Sequence, residues 1–214
     1  NWIANARKAA MAEQKPESAV HGLLKYRPYC DDPVPAYSYL TDTYLCVGLE
    51  SAAKALRRVG LEKEAAEAAA EAASYRAAIV RSMRLNVFEH EGTRLLPMYP
   101  ETRKLLKDNG HTGADYYGLV ACMILETGFL SPTDEMAQCI VNTLETRGGL
   151  LLGVSTFQGG IDHAYTYGYW MNCLSRGLVK PAILALYSSM AHGSTRATYS
   201  SVEINDVREG KNWS

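Results

Sequence analysis

Residues 36–84 leave the chain little choice of fold. The stretch AYSYLTDTYLCVGLESAAKALRRV puts apolar side chains at 37, 40, 44, 45, 47, 49, 52, 53, 56 and 59, a wide stripe at helical spacing. Gly60 follows as a helix stop. LEKEAAEAAAEAASYRAAIVRSMR then starts at once. It is rich in strong helix formers, and its acidic start suits the helix dipole. Two long helices with so short a turn must fold back on each other as an αα-hairpin.

The unit repeats. Residues 113–128 and 133–147 form a second pair across FLSPT, with Thr133 as the expected N-cap. Residues 164–177 and 178–192 form a third, with Pro181 in the first turn of its second helix, where proline is tolerated. Residues 1–14 read as a further helix. The segment 86–99 reads as a β-hairpin around Glu91-Gly92. The expected fold class is therefore all-α: paired antiparallel helices with one small β-hairpin, in a single helical domain over 1–214. The other connections are long, at 15–35, 86–112, 148–163 and 193–214. They are expected to gather at one end, with the short turns at the other. Connections beyond about 12–15 residues in a compact domain usually carry function. No 34- or 40-residue repeat is visible, so a helical solenoid is not supported.

Composition narrows the function classes. The hydrophobic fraction is 47%, the charged fraction 21% and the net charge −1, ordinary for a globular domain. Without a Lys/Arg tract, the footprint of a nucleic-acid or membrane-surface binder is missing. No run approaches the roughly 18 apolar residues of a membrane span. The opening NWIANARKAAMAEQKPES lacks the apolar core of a secretory leader and reads as an entrance into the middle of something longer. The five cysteines are widely spaced, without zinc-type spacing, and read as small buried hydrophobes. No metal or cofactor is expected. The Asp-rich metal motif of terpenoid-type helical toroids is absent, since Asp31-Asp32 runs into Pro33-Val34-Pro35.

Each long connection mixes carboxylates with aromatics and Arg or His. The first holds His21, Tyr26, Arg27, Tyr29, Asp31 and Asp32 before Tyr37 and Tyr39. The second holds Glu89, His90, Arg103, His111, Asp115, Tyr116 and Tyr117. The third ends in GGIDHAYTYGY, with Asp162, His163, Tyr165, Tyr167 and Tyr169. The fourth holds His192, Arg196, Tyr199 and Glu203. Carbohydrate sites need this mixture, because sugars offer hydroxyls to polar groups and weakly apolar ring faces to aromatics. Glycosidic hydrolysis needs two carboxyl groups, one to protonate the leaving oxygen and one to activate water or attack. Structural alternatives stand beside these readings. Asp31 or Asp32 would serve as the N-cap of the next helix. Asp162 would cap its own helix beside a buried His163, and at least one of the three tyrosines should be core.

The motifs HGLLKYRPYCDDP (21–33) before YSYLTDTY (37–44), AAKALRRVG (52–60) with SYRAAI (74–79), IDHAYTYGY (161–169) and LYSSMAHGSTRATYSSVE (186–203) resemble the six-hairpin glycosidases. The resemblance covers most of residues 1–203. It implies an (α/α)6-type toroid, incomplete here. About seven helices correspond to the C-terminal half of a twelve-helix barrel, and the missing N-terminal half becomes an expected partner. It also implies a glycoside hydrolase, or its substrate-binding half, acting on an oligo- or polysaccharide. Glu203 is then the expected general base, and Asp31 and Asp32 the proton donor or sugar-binding groups. Tyr37, Asp162, His163, Tyr165, Tyr167, His192 and Arg196 would bind substrate. Two alternatives stay open. One is a polysaccharide lyase using His163, Tyr165, Tyr167 and Arg196. The other is a non-catalytic helical scaffold.

Overall fold

The computed structural model describes residues 2–27, 34–100, 117–157, 160–195, 197–198, 200–202, 204–206 and 211–213. The protein is mostly helical, with seven α-helices and small antiparallel sheets among these residues. The chain divides into two compact units. The first comprises residues 1–87, 98–103 and 127–129, and the second residues 88–97, 104–126 and 130–214.

In the first unit, α1 (Trp2–Glu13) precedes a two-stranded sheet, β1 (Lys25–Tyr26) and β2 (Ala36–Tyr37), in which Lys25 faces Tyr37. The hairpin expected at 36–84 is present as α2 (Tyr39–Arg58) and α3 (Glu62–Asn86), reversing at Gly60, whose φ is +80°. Ser38 caps α2 through its side chain, so the cap does not come from Asp31 or Asp32, which lie outside the described residues. Leu40, Cys46, Leu49 and Ala53 of α2 pack with Ala65, Ala68, Ala72, Ile79 and Met83 of α3 as this unit's apolar core.

A polar node lies inside this core. Arg7 of α1 is buried. It pairs with Glu71, donates to the Gly22 carbonyl at 2.9 Å and sits 4.3 Å over the Tyr75 ring. Tyr75 donates its hydroxyl proton to Asp42, whose Oδ1 also accepts from the Leu24 N–H at 3.0 Å. Asp42 has no exposed surface, and its Oδ2 lacks a hydrogen-bond partner. Burial pushes its carboxyl up to about 7, against the lowering effect of the Tyr75 and Leu24 hydrogen bonds and the Arg7 charge.

In the second unit, β3 (Phe88–His90) and β4 (Thr93–Leu95) form the expected hairpin. Glu91 and Gly92 both have positive φ, as a two-residue type I′ turn requires. Helices α4 (Tyr117–Glu126) and α5 (Glu135–Thr146) follow. Asp134, rather than Thr133, caps α5 by accepting from the Met136 N–H at 2.7 Å, because the helix starts one residue later than the sequence suggests. The third pair is α6 (Tyr167–Ser175) and α7 (Val179–His192). Gly168 of α6 meets the backbone of α4, where a methyl group would lie 1.9 Å from the Cys122 carbonyl oxygen. Helix α7 buries Ala182, Ala185, Ser188 and Ser189 and turns Val179, Ile183, Leu186, Tyr187 and Met190 outward.

The all-α expectation needs correction in the connections at 148–163 and 193–214. They form a five-stranded antiparallel sheet in the order β5 (Leu150–Leu151), β6 (Val154–Phe157), β7 (Gly160–Ile161), β8 (Ile204–Asp206) and β9 (Lys211–Trp213). Each strand spans only two to four residues, too short for an alternating pattern to show in the sequence.

Asp42 makes stability depend on pH with a definite sign. Its folded pKa lies above the ordinary value of 3.8, so between about 4 and 7 the folded chain holds a proton that the unfolded chain has lost. Its contribution is fully present below pH 4 and is lost as pH rises through 7, at up to about 1.4 kcal/mol per pH unit. Asp42→Asn keeps an accepting oxygen for Leu24 and Tyr75 but cannot titrate. The variant should lose this slope, seen in thermal melts between pH 4.5 and 7.5 as a difference from the parent. Parallel curves for the two proteins would show that Asp42 carries no bound proton.

Candidate functional site

Within the second unit, β7–β8 pairing joins the third and fourth long connections. Ile161 of β7 faces Asn205 of β8, and the Asn205 amide donates to the His192 carbonyl at the end of α7. Gly160 allows this approach, since a methyl group there would stand 2.7 Å from the Asn205 carbonyl oxygen. Nearer α7, a bridge joins Ser194 to Ser201, and the Val202 N–H donates to the Gly193 carbonyl at 3.2 Å.

The segment after β7 is fixed by hydroxyl groups. The Asp162 N–H donates to the Ser155 carbonyl of β6 at 2.9 Å, and the Ser155 hydroxyl donates back to the Asp162 carbonyl. Thr166 Oγ1 accepts from the Ser155 N–H at 3.0 Å and lies 3.1 Å from Ser155 Oγ. Ser155, Asp162 and Thr166 are all buried. Such a satisfied network fixes a single backbone path, because leaving any member unpaired costs about 1–3 kcal/mol.

Asp162 takes the capping alternative. It is only 1% exposed, and its Oδ1 accepts from the Ala164 N–H at 3.1 Å, opening a 3₁₀ turn over His163–Tyr165 before α6. His163 leaves this turn half-buried. Its Nε2 lies 3.2 Å from Ser201 Oγ. Its ring packs on Gly193, where a methyl group would come within 2.7 Å of Cγ and Nδ1. Burial lowers the His163 pKa from 6.5, so the imidazole is neutral near pH 7, with one donor and one acceptor nitrogen. A neutral histidine against a serine hydroxyl at an accessible edge suits hydroxyl recognition.

The aromatic run after it divides. Tyr169 is core, and its hydroxyl donates to Glu145 at 2.8 Å. Burial pushes its phenol well above the ordinary range. Tyr165 is half-buried and Tyr167 is exposed. His192, the last residue of α7, is half-buried. Tyr37 belongs to the first unit, on β2, where its hydroxyl accepts from Gln14 at 3.3 Å. Glu203, Asp31, Asp32 and Arg196 lie outside the described residues, as do Arg103, His111, Asp115 and Tyr116. Glu89 and His90 stand on β3, and Tyr117 opens α4.

Ser201 was not singled out by sequence reasoning: it lies in the stretch LYSSMAHGSTRATYSSVE (186–203), where one serine among several carries no signal of its own. Among the described residues no group of three or more His, Cys, Asp or Glu is placed to hold a metal ion, and no helix is long and apolar enough to cross a membrane. Compared with protein-family models, with curated proteins and with solved structures, the chain has no match in any of the three.

The His163 environment is open to direct test. Imidazole resonances in an NMR titration should place the His163 pKa below 6.5. Gly193→Ala should move it toward the ordinary value, because the added methyl, caught between the Ser189 carbonyl oxygen at 2.6 Å and the imidazole at 2.7 Å, displaces the ring from its half-buried seat. An unshifted His163 in the parent, or an identical titration in the variant, would contradict this packing.

Proposed function

We propose that this protein is a carbohydrate-active enzyme of the glycoside hydrolase type, or the substrate-binding half of one, built on an (α/α)6-type toroid. Its partner is an oligo- or polysaccharide. One observation carries the reading. The β7–β8 pairing joins the strand leading into His163 to the strand that follows Glu203 in sequence, and it does so beside a neutral, half-buried imidazole. In this reading Glu203 is the general base of the second unit, and Asp31 and Asp32 are sugar-binding groups of the first unit. His163 binds a sugar hydroxyl, with Tyr165, Tyr167, His192 and Arg196 as further substrate contacts of the second unit, and Tyr37 meets saccharide within the first unit. Asp162 acts through the backbone, setting the turn that presents His163. The resemblance to six-hairpin glycosidases supports the same chemistry.

The test is release of new reducing ends from a panel of neutral and acidic oligosaccharides. Glu203→Gln should lower kcat by roughly 10²–10⁴-fold, the usual contribution of a general acid or base. His163→Ala should weaken turnover while leaving the melting temperature nearly unchanged. Full turnover in Glu203→Gln would remove the base assignment. Products carrying an unsaturated uronate would replace hydrolysis by elimination. No turnover of any saccharide, with none bound, would overturn the reading.

A further inference from the structure

The first unit has a groove of about 380 Å³ between α1 and the β1–β2 pair, lined by Ala6, Ala10, Glu13, Gln14, Leu24, Lys25, Tyr26 and Tyr37. That volume falls in the range of about 300–1,000 Å³ typical of small-molecule sites. Ala6, Ala10 and Leu24 supply its small apolar surface. Tyr26 and Tyr37 come from adjacent strands, and Trp2, 62% exposed, meets Tyr26 in a tilted ring contact at 5.8 Å between centroids. Glu13 and Lys25 stand exposed among the lining residues.

The groove is pre-organised by Gln14. Its Oε1 accepts from the Gly22 N–H at 2.8 Å. Its Nε2 donates to the Leu23 carbonyl at 2.9 Å and to the Tyr37 hydroxyl at 3.3 Å. Arg81 fastens the same connection from α3 through the Ser18 and His21 carbonyls, at 2.8 and 3.2 Å. The walls are therefore held before any ligand arrives, which reduces the ordering cost of binding. Lys25 Nζ lies 6.0 Å from the Tyr37 ring centroid, at the outer edge of cation–π range, so little is lost when it turns to a ligand.

We propose that this groove binds one hexopyranosyl unit of a neutral oligosaccharide, a proposal that rests on the saccharide reading above. The apolar face of the ring lies against Tyr37, which shares its sheet face with Lys25, Tyr26 lines the wall beside Trp2, and the hydroxyl edge meets Glu13 as acceptor and Lys25 as donor. One anionic and one cationic partner match hydroxyls, which both donate and accept, better than they match a carboxylate. A uronate would be drawn to Lys25 and repelled by Glu13 in the same groove.

The test is calorimetric titration of the full chain with cellohexaose, maltohexaose and mannohexaose separately, and with trigalacturonate as the acidic comparison. At least one neutral hexaose should bind. Tyr37→Ala and Tyr26→Ala should each weaken it by roughly tenfold, as loss of an aromatic platform implies. Tyr37→Phe, which keeps the ring, should stay close to the parent, and the Trp2 indole N–H resonance should shift on titration. Tyr37→Ala also breaks the Gln14 bond, so Lys25→Met, a surface change, provides the second variant and should weaken binding too. A neutral sugar that binds or is turned over with no effect of any variant, and with the Trp2 resonance unmoved, would overturn the groove and leave the hydrolase reading standing. Binding of trigalacturonate alone would overturn the neutral class. No binding and no turnover of any saccharide would overturn both.

Discussion

The second unit depends on one short-range contact between distant stretches of chain, the pairing of Ile161 with Asn205. It is the sole register fixed between β7 and β8 among the described residues, and it sits at the centre of a five-strand order. On one side, β5 pairs with β6 and β6 with β7, through two residue pairs each. On the other, β8 and β9 pair through three residues. Ile161 and Ile204 are buried, so the pairing gains apolar burial as well as a ladder bond. The sheet in turn fixes the Ser155–Asp162–Thr166 hydroxyl network, and that network sets the turn on which His163 stands. The chemistry proposed for the site is thus downstream of a few backbone atoms.

The first unit solves the same problem with side chains. Among the described residues its long connection has a two-residue strand pair, and its path is held by Arg7, Gln14, Arg81 and the buried Asp42. A carboxyl held close to neutrality in an apolar core is a costly anchor. It persists because Tyr75 and Leu24 bond to it from two different elements. The resulting order brings Tyr26 and Tyr37 to the lining of one groove, where an unstructured connection would leave them independent. In both units, long connections between helix pairs are made specific by buried polar groups, and the aromatic and histidine side chains they carry become usable surface.

The helices were legible because their signal is repeated many times over. The apolar stripe of 36–59 and the Ala-Glu-Arg composition of 61–84 each span several turns, and both ends of the α2–α3 hairpin fall within a few residues of expectation. Glu91-Gly92 announced the β3–β4 turn for the same reason: a two-residue type I′ turn demands positive φ. The five-stranded sheet was not legible. Strands such as Gly160–Ile161 and Lys211–Trp213 carry no periodicity, and their partners lie far away in sequence. Leu152-Gly153, with both φ positive, was a missed turn signal between β5 and β6. The cluster at 162–169 was found from its composition, but composition did not divide its roles. Tyr169 is core with its hydroxyl bonded to Glu145, Asp162 is a cap, and His163, Tyr165 and Tyr167 are the polar aromatic groups of the cluster that keep accessible surface. Gln14 and Lys25 were invisible as groove residues, since nothing in the sequence ties them to Tyr37.

His163, set against Gly193 and Ser201, is the group proposed to recognise a saccharide. The most direct measurement is a crystal structure of the chain soaked or co-crystallised with an oligosaccharide that it binds in solution. The account predicts a sugar hydroxyl within hydrogen-bond distance of a His163 ring nitrogen, with the imidazole retained against Gly193. Well-ordered sugar elsewhere on the protein, with none at His163 at saturating ligand, would contradict it.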